Sequence, residues 1–203
     1  MQTEQTSTTY QENQRKGRAV FLMMLTFFVV PIIAVVLMFK YDFKPTGASR
    51  GELMVPPRLI ETTVNLKNSD GQDSSHFWTE KWTMVYVSDA CEASCMAKLK
   101  DMRQIHVSMY KDIPRTQRVL ITHVQDVAAI KKDFPDLNII NQSDVDVDKL
   151  SQQFNIANEV AFQSNRLYFV DPLGHIMMSY PASTSAADIR KDLARLLRYS
   201  WAA

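Results

Sequence analysis

The longest apolar stretch of the chain lies near its start. Residues 19–39 carry no charge, and nearly every one of them is apolar. A helix of that length spans about 31 Å, which is enough to cross the hydrocarbon core of a bilayer. The pattern therefore predicts one transmembrane helix over 19–39, with a cleaved signal peptide ending near Ala48-Ser49 as the alternative. The polar residues 1–18 predict a cytoplasmic tail that is disordered over its first 14 residues.

A second change of pattern follows the apolar span. Residues 40–58 contain Pro45, Gly47 and the pair Pro56-Pro57, which predicts a linker. Residues 59–203 then alternate apolar runs with amphipathic stretches, as expected of one α/β domain of ordinary size. The run 83–88 has the β-branched and aromatic residues of a buried strand.

The alternation of apolar and amphipathic runs predicts the order of strands and helices along the chain. Predicted strands lie at 62–67, 77–82, 83–88, 118–124, 137–141, 166–170 and 175–180, and predicted helices at 91–112, 126–133, 145–154 and 186–199. Residues 68–71 and 171–174 have the composition of tight turns, so the flanking strands are expected to form hairpins. Strands separated by helices indicate a parallel core with right-handed crossovers. The predicted fold class is a thioredoxin-like α/β domain with an insertion before the last hairpin, tethered by one N-terminal transmembrane helix.

Cys91 and Cys95 are the two cysteines of the chain, and they lie between the strand 83–88 and the following helix. Unpaired backbone N–H groups and the positive end of the helix dipole favour thiolate over thiol there. Cys91 and Cys95 are therefore the candidate catalytic residues of a redox dithiol. Two buried apolar residues or a static disulfide are the alternative interpretation.

The compartment follows from the dithiol and not from the flanking charges, because basic residues lie on both sides of the apolar span. A cysteine pair that cycles to a disulfide suits an oxidising compartment. We therefore expect an inner-membrane protein with its N-terminus in the cytoplasm and its main domain in a bacterial periplasm. The net charge of +1 gives no reason to expect a nucleic-acid partner.

Four sequence features together resemble a known family. The chain is similar to the SCO/SenC proteins in Lys81-Trp82, the strand 83–88, the CxxxC pair and the run 167–174, which ends in Asp171-Pro172-Leu173-Gly174. Those are membrane-tethered, thioredoxin-fold factors of cytochrome c oxidase assembly. The resemblance spans roughly residues 60–199. Gly51-Glu52-Leu53, Pro56-Pro57 and Met177-Met178 are similar to divergent members that accompany oxidase genes in bacteria.

The resemblance implies copper(I) as a possible cofactor, held by the two cysteines and one histidine. The histidine position is occupied here by Gln163, and an amide is a poor ligand for copper(I). The family's proline after the CxxxC is also missing. No proline lies between Pro135 and Pro172, where thioredoxins keep a cis-proline facing the dithiol.

His123 is the candidate replacement for the missing ligand. It ends a strand parallel to the one that leads to Cys91, and parallel strands end at the same edge of a sheet. Cys91, Cys95 and His123 therefore form the predicted metal set, with a hydrogen-bonding role as the alternative for His123. His106 is about 16 Å from Cys95 along the helix, and His175 is about 17 Å from the loop at Gln163 along a strand. Nothing fixes His76 near the cysteines.

One further cluster has two interpretations. Asp144, Asp146 and Asp148 alternate like part of a calcium loop, but the glycine and distal glutamate of that loop are missing. Acidic residues in the first turn of a helix explain them better.

Three functions are compatible with these residues. The first is a membrane-tethered assembly factor that acts on a cytochrome oxidase subunit by thiol reduction or copper handling. The second is a general periplasmic thiol–disulfide oxidoreductase, and the third is a non-catalytic anchored scaffold braced by its disulfide. The partners expected for the first are a membrane-bound client and the lipid bilayer.

Overall fold

The computed structural model describes residues 3–40, 49–61, 77–141 and 144–199. These residues form two compact units, 1–48 and 49–203, and each is described by itself. The helices of the second unit are α2 to α6, and its strands are β1 to β6; a 3₁₀ helix, Tyr110–Arg115, follows α2. Their bounds are β1 Glu52–Leu59, β2 Trp82–Val87, α2 Ala93–Val107, β3 Thr116–Ile121, α3 Ala128–Asp133, β4 Asn138–Ile140, α4 Asp144–Gln152, α5 Ala161–Ser164, β5 Leu167–Val170, β6 His175–Tyr180 and α6 Ala186–Tyr199.

The first unit is one helix, α1, from Thr3 to Lys40. Its segment Arg18–Met38 has a mean hydropathy of 3.0 and is long and apolar enough to cross a membrane. None of that segment is buried against protein, which suits a helix that packs against lipid. The predicted disorder of the first 14 residues is wrong from Thr3 onward. A helix already formed in the apolar span extends through polar residues at little cost, because only nucleation is unfavourable.

The second unit is built on a six-stranded sheet in the order β1-β6-β5-β2-β3-β4. β2, β3 and β4 are parallel to one another. β5 pairs with β2, β6 with β5 and β1 with β6, each in antiparallel orientation. This is the mixed sheet of a thioredoxin-like fold, as the sequence predicts.

Helices cover both faces of the sheet. Alternate side chains of β2 point to opposite faces, so Met84 and Tyr86 join a core with α2, α3 and α6. Val85 and Val87 join a second core with α4 and α5. A central strand that is buried on both faces has a continuous apolar run and not an alternating one, which is the pattern of 83–88.

The linker prediction is wrong over residues 52–58, because they form most of the edge strand β1. Proline has no N–H to donate to a neighbouring strand, and Pro56-Pro57 lie where the pairing of β1 with β6 is interrupted by a register shift between Leu53 and Arg58. The two prolines are therefore compatible with this edge strand. The strand starts beside Gly51, where an added Cβ would lie 2.7 Å from the Tyr180 ring. A glycine is therefore needed for this close approach.

The predicted first hairpin has no counterpart in the described residues. Its strand 62–67 and turn 68–71 lie outside them. The predicted strand 77–82 is wrong, because Phe77 and Trp78 form a turn and Thr79 makes only an isolated bridge to Leu173. Both aromatic side chains are buried in the core beside α4, and burial without strand pairing gives the same apolar sequence signal.

Candidate functional site: a disulfide at one edge of the sheet

Cys91 and Cys95 form a disulfide at the start of α2, with their Cα atoms 5.0 Å apart. Cys95 is 1% exposed and belongs to the core, whereas Cys91 is partly exposed. Glu92 precedes the helix and makes no side-chain capping bond to it. That side chain therefore does not cap the first backbone N–H groups of α2. The positive end of the helix dipole lies beside the cysteines. Cys91 is thus the more exposed of the two cysteines.

The loop that carries Cys91 is fixed to the end of β3. The Ser88 N–H donates to the Ile121 carbonyl at 3.0 Å, and the Thr122 hydroxyl donates to the Asp89 carbonyl at 3.0 Å. The Ser88 hydroxyl also closes a tight loop by donating to the Ala90 carbonyl at 3.0 Å. These bonds hold the disulfide at the C-terminal edge of β2 and β3, where ligands gather in sheets of this type.

His123 lies at the same edge, as the sequence predicts, and it is held between two carboxylates. Its Nδ1 is 2.7 Å from Asp89 Oδ1, and its Nε2 is 3.3 Å from Asp148 Oδ1. Its ring also packs on Phe162, with the centroids 4.6 Å apart. His123 thus connects the Cys91 loop to α4 and α5.

Gln163 is exposed on α5, a single helical turn that precedes β5. β5 is antiparallel to β2 and begins opposite Tyr86, so α5 also lies at the dithiol edge. Asn165 follows with a left-handed backbone, φ 50°, and its Oδ1 accepts a bond from the Tyr86 hydroxyl at 3.0 Å. The family's histidine position is therefore at the expected edge, but its side chain is an amide.

The arrangement does not fit a three-ligand copper(I) site as it stands. The two sulfurs are joined to each other, and both nitrogens of His123 face carboxylates. Within the described ranges, no group of three His, Cys, Asp or Glu side chains is placed to hold a metal ion. The set Cys91, Cys95 and His123 stays a prediction.

The other described histidines lie where the sequence analysis places them, away from the cysteines. His106 is buried near the far end of α2, where its Nδ1 lies 3.0 Å from the Thr116 hydroxyl. His175 begins β6 beside the turn 171–174, and its N–H donates to Asp171 Oδ1 at 2.8 Å. Both positions are at the edge of the sheet opposite the dithiol.

Sequence reasoning misses the partners of His123. Asp89 precedes the cysteines by two residues, a spacing that carries no special signal. Asp148 lies in α4, as the helix interpretation of the acidic cluster predicts, but its contact with His123 joins residues 25 positions apart in the chain. Only the parallel pairing of β3 and the packing of α4 bring them together.

The fold and the disulfide define a class: a thioredoxin-like domain with a CxxxC disulfide, joined to a helix that can span a membrane. The family described as transmembrane-like, thioredoxin-like, C-terminal domain matches residues 82–200. This chain belongs to that family. No curated protein sequence matches it.

Solved structures show the same fold at low sequence identity. Apo Sco1 from Thermus thermophilus has a TM-score of 0.58 and 15% identity, over 77% of this chain and 100% of that one. Copper-bound yeast Sco1 has a TM-score of 0.57 and 15% identity, over 77% and 96%. The thioredoxin domain of a thiol-disulfide oxidoreductase from Bacteroides vulgatus has a TM-score of 0.52 and 12% identity, over 68% and 95%. The resemblance to SCO/SenC proteins is thus confirmed at the level of the fold.

Proposed function

We propose that this protein is a membrane-tethered dithiol reductant that acts on a cytochrome c oxidase subunit during assembly. Its N-terminus lies in the cytoplasm, its helix in the inner membrane and its domain in the periplasm. The observation that carries the proposal is the disulfide itself, with Cys91 partly exposed and Cys95 buried. Thiol–disulfide exchange needs one accessible sulfur and one resolving sulfur beside it.

The exchange consists of two displacements. In the reduced protein the Cys91 thiolate attacks one sulfur of the client disulfide, whose S–S bond breaks, and the second client sulfur leaves as a thiolate. The Cys95 thiolate then attacks Cys91 Sγ, the mixed disulfide breaks and the first client sulfur is released. Two electrons pass to the client, its thiolates take protons from solvent, and Cys91–Cys95 becomes a disulfide. A separate dithiol reductant must restore the starting state.

The tether supports a membrane-bound client. A domain held to the bilayer by one chain meets a partner in the same membrane at a high effective concentration, without any new contact. The Sco structures that share this fold include one with copper bound, which favours a client whose cysteines form a copper site. Copper belongs to the client in this scheme.

Copper handling by this chain is the second candidate, because His123 lies at the dithiol edge. Reduction would free Cys91 and Cys95 as two thiolates, and among the histidines that the structure describes His123 is the one at their edge of the sheet; His76 lies outside the described residues. Binding would require His123 to release a carboxylate, Asp89 or Asp148. Copper(I) accepts two thiolates and an imidazole.

Client reduction by the full-length protein in detergent tests the first candidate. The substrate is the disulfide form of the copper-binding domain of an oxidase subunit, and the readout is the number of client thiols that can be alkylated. We expect rapid appearance of two thiols, no reaction with Cys91→Ser, and a trapped mixed disulfide with Cys95→Ser. Ser94→Ala, at an exposed position between the cysteines, is the matched control and should react like the parent.

Copper(I) titration against a competing chelator tests the second candidate. Tight one-to-one binding that is lost in both Cys91→Ser/Cys95→Ser and His123→Ala would establish the predicted ligand set. A general oxidoreductase would reduce unrelated disulfide proteins at the same rate as the oxidase domain. Failure of both reduction and binding would leave the scaffold function.

A further inference from the structure

Three carboxylates lie on or beside the loop that carries Cys91. Glu92 lies between the two cysteines and is exposed. Asp89, two residues before Cys91, has a side chain that is 69% exposed, and Asp148 has one that is 54% exposed. His123 lies between Asp89 and Asp148, with Nδ1 hydrogen-bonded to Asp89 and Nε2 3.3 Å from Asp148, so both carboxylates lie beside the end of β3.

One cation of this edge, Arg166, is paired with two carboxylates. Arg166 is buried, and its guanidinium donates to Glu159 at 2.6 and 3.1 Å and to Glu52 at 2.6 Å. Lys98 lies in the second turn of α2, with Nζ 3.5 Å from the Ala182 carbonyl. Arg166 is thus paired with carboxylates, whereas Lys98 keeps its charge because its partner is a neutral carbonyl, and Asp89 and Glu92 are the charged residues that flank Cys91 in the sequence.

The distal half of α2 has the opposite character. Lys100 and Arg103 line a crevice with Tyr110, Phe134 and one carboxylate residue, Asp133, and Lys111 is exposed nearby. The net charge of the chain is only +1, so the acidic surround of the cysteines is a local asymmetry and not a consequence of overall composition. Charge of one sign around a reactive group steers partners of the other sign and repels those of the same sign.

We infer that the carboxylates Asp89, Glu92 and Asp148 make the dithiol selective for partners whose reacting sulfur is flanked by positive charge. The reacting group is the dithiol, and the carboxylates determine which partner approaches it. The client segment is then basic around its cysteines, and anionic thiols such as glutathione are disfavoured as electron donors. This inference rests on the proposed thiol exchange.

Three small disulfides of different charge test the inference without any client. The reduced full-length protein in neutral detergent is mixed with cystamine, bis(2-hydroxyethyl) disulfide or 3,3′-dithiodipropionate, which are cationic, neutral and anionic. The second-order rate of dithiol oxidation is followed by quenching and alkylation. Each rate is divided by the rate of dithiothreitol with the same disulfide, which removes differences in leaving-group reactivity.

We expect the cationic-to-anionic rate ratio to exceed that of dithiothreitol about tenfold at low ionic strength. The ratio should fall towards that of dithiothreitol at about 1 M salt, where the Debye length shrinks to about 3 Å. In Asp89→Asn/Glu92→Gln most of the excess should disappear. Glu80→Gln/Asp133→Asn removes the same charge at exposed positions far from the dithiol, and it should keep the excess.

A ratio equal to that of dithiothreitol at low salt would overturn the inference, as would a ratio that the double variant leaves unchanged. The salt dependence of the parent protein provides this decision even if a variant does not fold. Charge selectivity without client reduction would contradict the proposed function alone. Client reduction without charge selectivity would contradict only the inference.

Discussion

Two histidine–aspartate pairs lie at opposite edges of the sheet, and their surroundings differ. At the dithiol edge, His123 is 23% exposed by side chain and contacts Asp89 and Asp148, both more than half exposed. At the far end, His106 lies 4.0 Å from Asp136, whose other oxygen accepts from Arg118. The Arg118 side chain is 0% exposed. The first pair is thus in contact with solvent. In the second pair, Asp136 also forms an ion pair with the buried guanidinium of Arg118.

Burial and the neighbouring charge determine what each pair contributes. Burial lowers the pKa of His106, and the positive charge of Arg118 lowers it further. Burial alone would raise the pKa of Asp136, but the hydrogen bond and charge of Arg118 bring it below its ordinary value. A buried cation needs its carboxylate, whereas exposed charges are screened by water and salt. The far pair therefore serves stability, and the near pair is available for recognition.

Asp136→Ala should have the largest effect on stability. It leaves Arg118 buried without its carboxylate, and Nε and Nη1 of Arg118 already have no hydrogen-bond partner among the described residues. We expect a loss of about 3–5 kcal/mol in the free energy of unfolding. Urea unfolding of the full-length protein in detergent, followed by tryptophan fluorescence, measures it.

Asp148→Ala is the matched change at the dithiol edge. Asp148 and Asp136 are similarly exposed, at 54% and 50%, but Asp148 faces a partly exposed histidine and not a buried guanidinium. Its loss should therefore cost less than about 1 kcal/mol. Equal costs for Asp136→Ala and Asp148→Ala would show that burial does not distinguish the two pairs.

Asp192→Ala tests whether the burial of a carboxylate, and not the edge of the sheet at which it lies, determines the loss of stability. Asp192 is 3% exposed, and its Oδ2 accepts from the Arg50 N–H at 2.8 Å, from the Gly51 N–H at 3.3 Å, and from the Ser49 and Tyr180 hydroxyls at 3.2 and 3.3 Å. Removing it strands several donors, so we expect a loss of about 2–3 kcal/mol although Asp192 lies towards the dithiol edge. Thermal and urea unfolding measure the loss. Asp188→Ala, at a partly exposed position in the first turn of α6, should cost less than Asp192→Ala.

Gly51→Ala should cost about 1–3 kcal/mol, because the added methyl group overlaps the Tyr180 ring and the Met178 side chain. Urea unfolding measures the loss. An unchanged free energy of unfolding in Gly51→Ala would contradict the steric explanation.

His106→Asn should produce the smallest effect, seen only in the pH dependence of stability. The folded pKa of His106 is below its unfolded value of 6.5, so the unfolded chain takes up the proton first as pH falls. The contribution of His106 is complete above pH 6.5 and is lost as pH falls through the folded pKa. Unfolding free energies measured from pH 8 down to about pH 5 should fall less steeply in the variant. An unchanged slope would mean that His106 is protonated equally in both states.

Much of the fold can be predicted from the sequence, because local pattern and tertiary structure agree. The run 83–88 and the amphipathic stretch 186–199 correspond to β2 and α6 with little error. β1 is missed because Pro56-Pro57 is typical of a linker, and only its pairing with β6 makes it a strand.

The candidate site is predictable in part, for the same reason. The chain has only two cysteines, and they lie four positions apart, which marks them as a candidate pair. The parallel strands predict that His123 lies at the same edge of the sheet. The contacts of His123 with Asp148 and Phe162 depend on how α4 and α5 pack, and no local pattern encodes that packing.

The bonds of Asp192 to residues 49–51 have a practical consequence for expressing the domain without its anchor. A fragment that begins at residue 59 lacks β1 and exposes the edge of β6, with unpaired backbone groups that can recruit a second copy into an aggregate. It also leaves Asp192 buried without three of its four donors. A fragment that begins at Ser49 keeps both the strand and the donors. We expect it to be the shortest fragment that is soluble and monomeric.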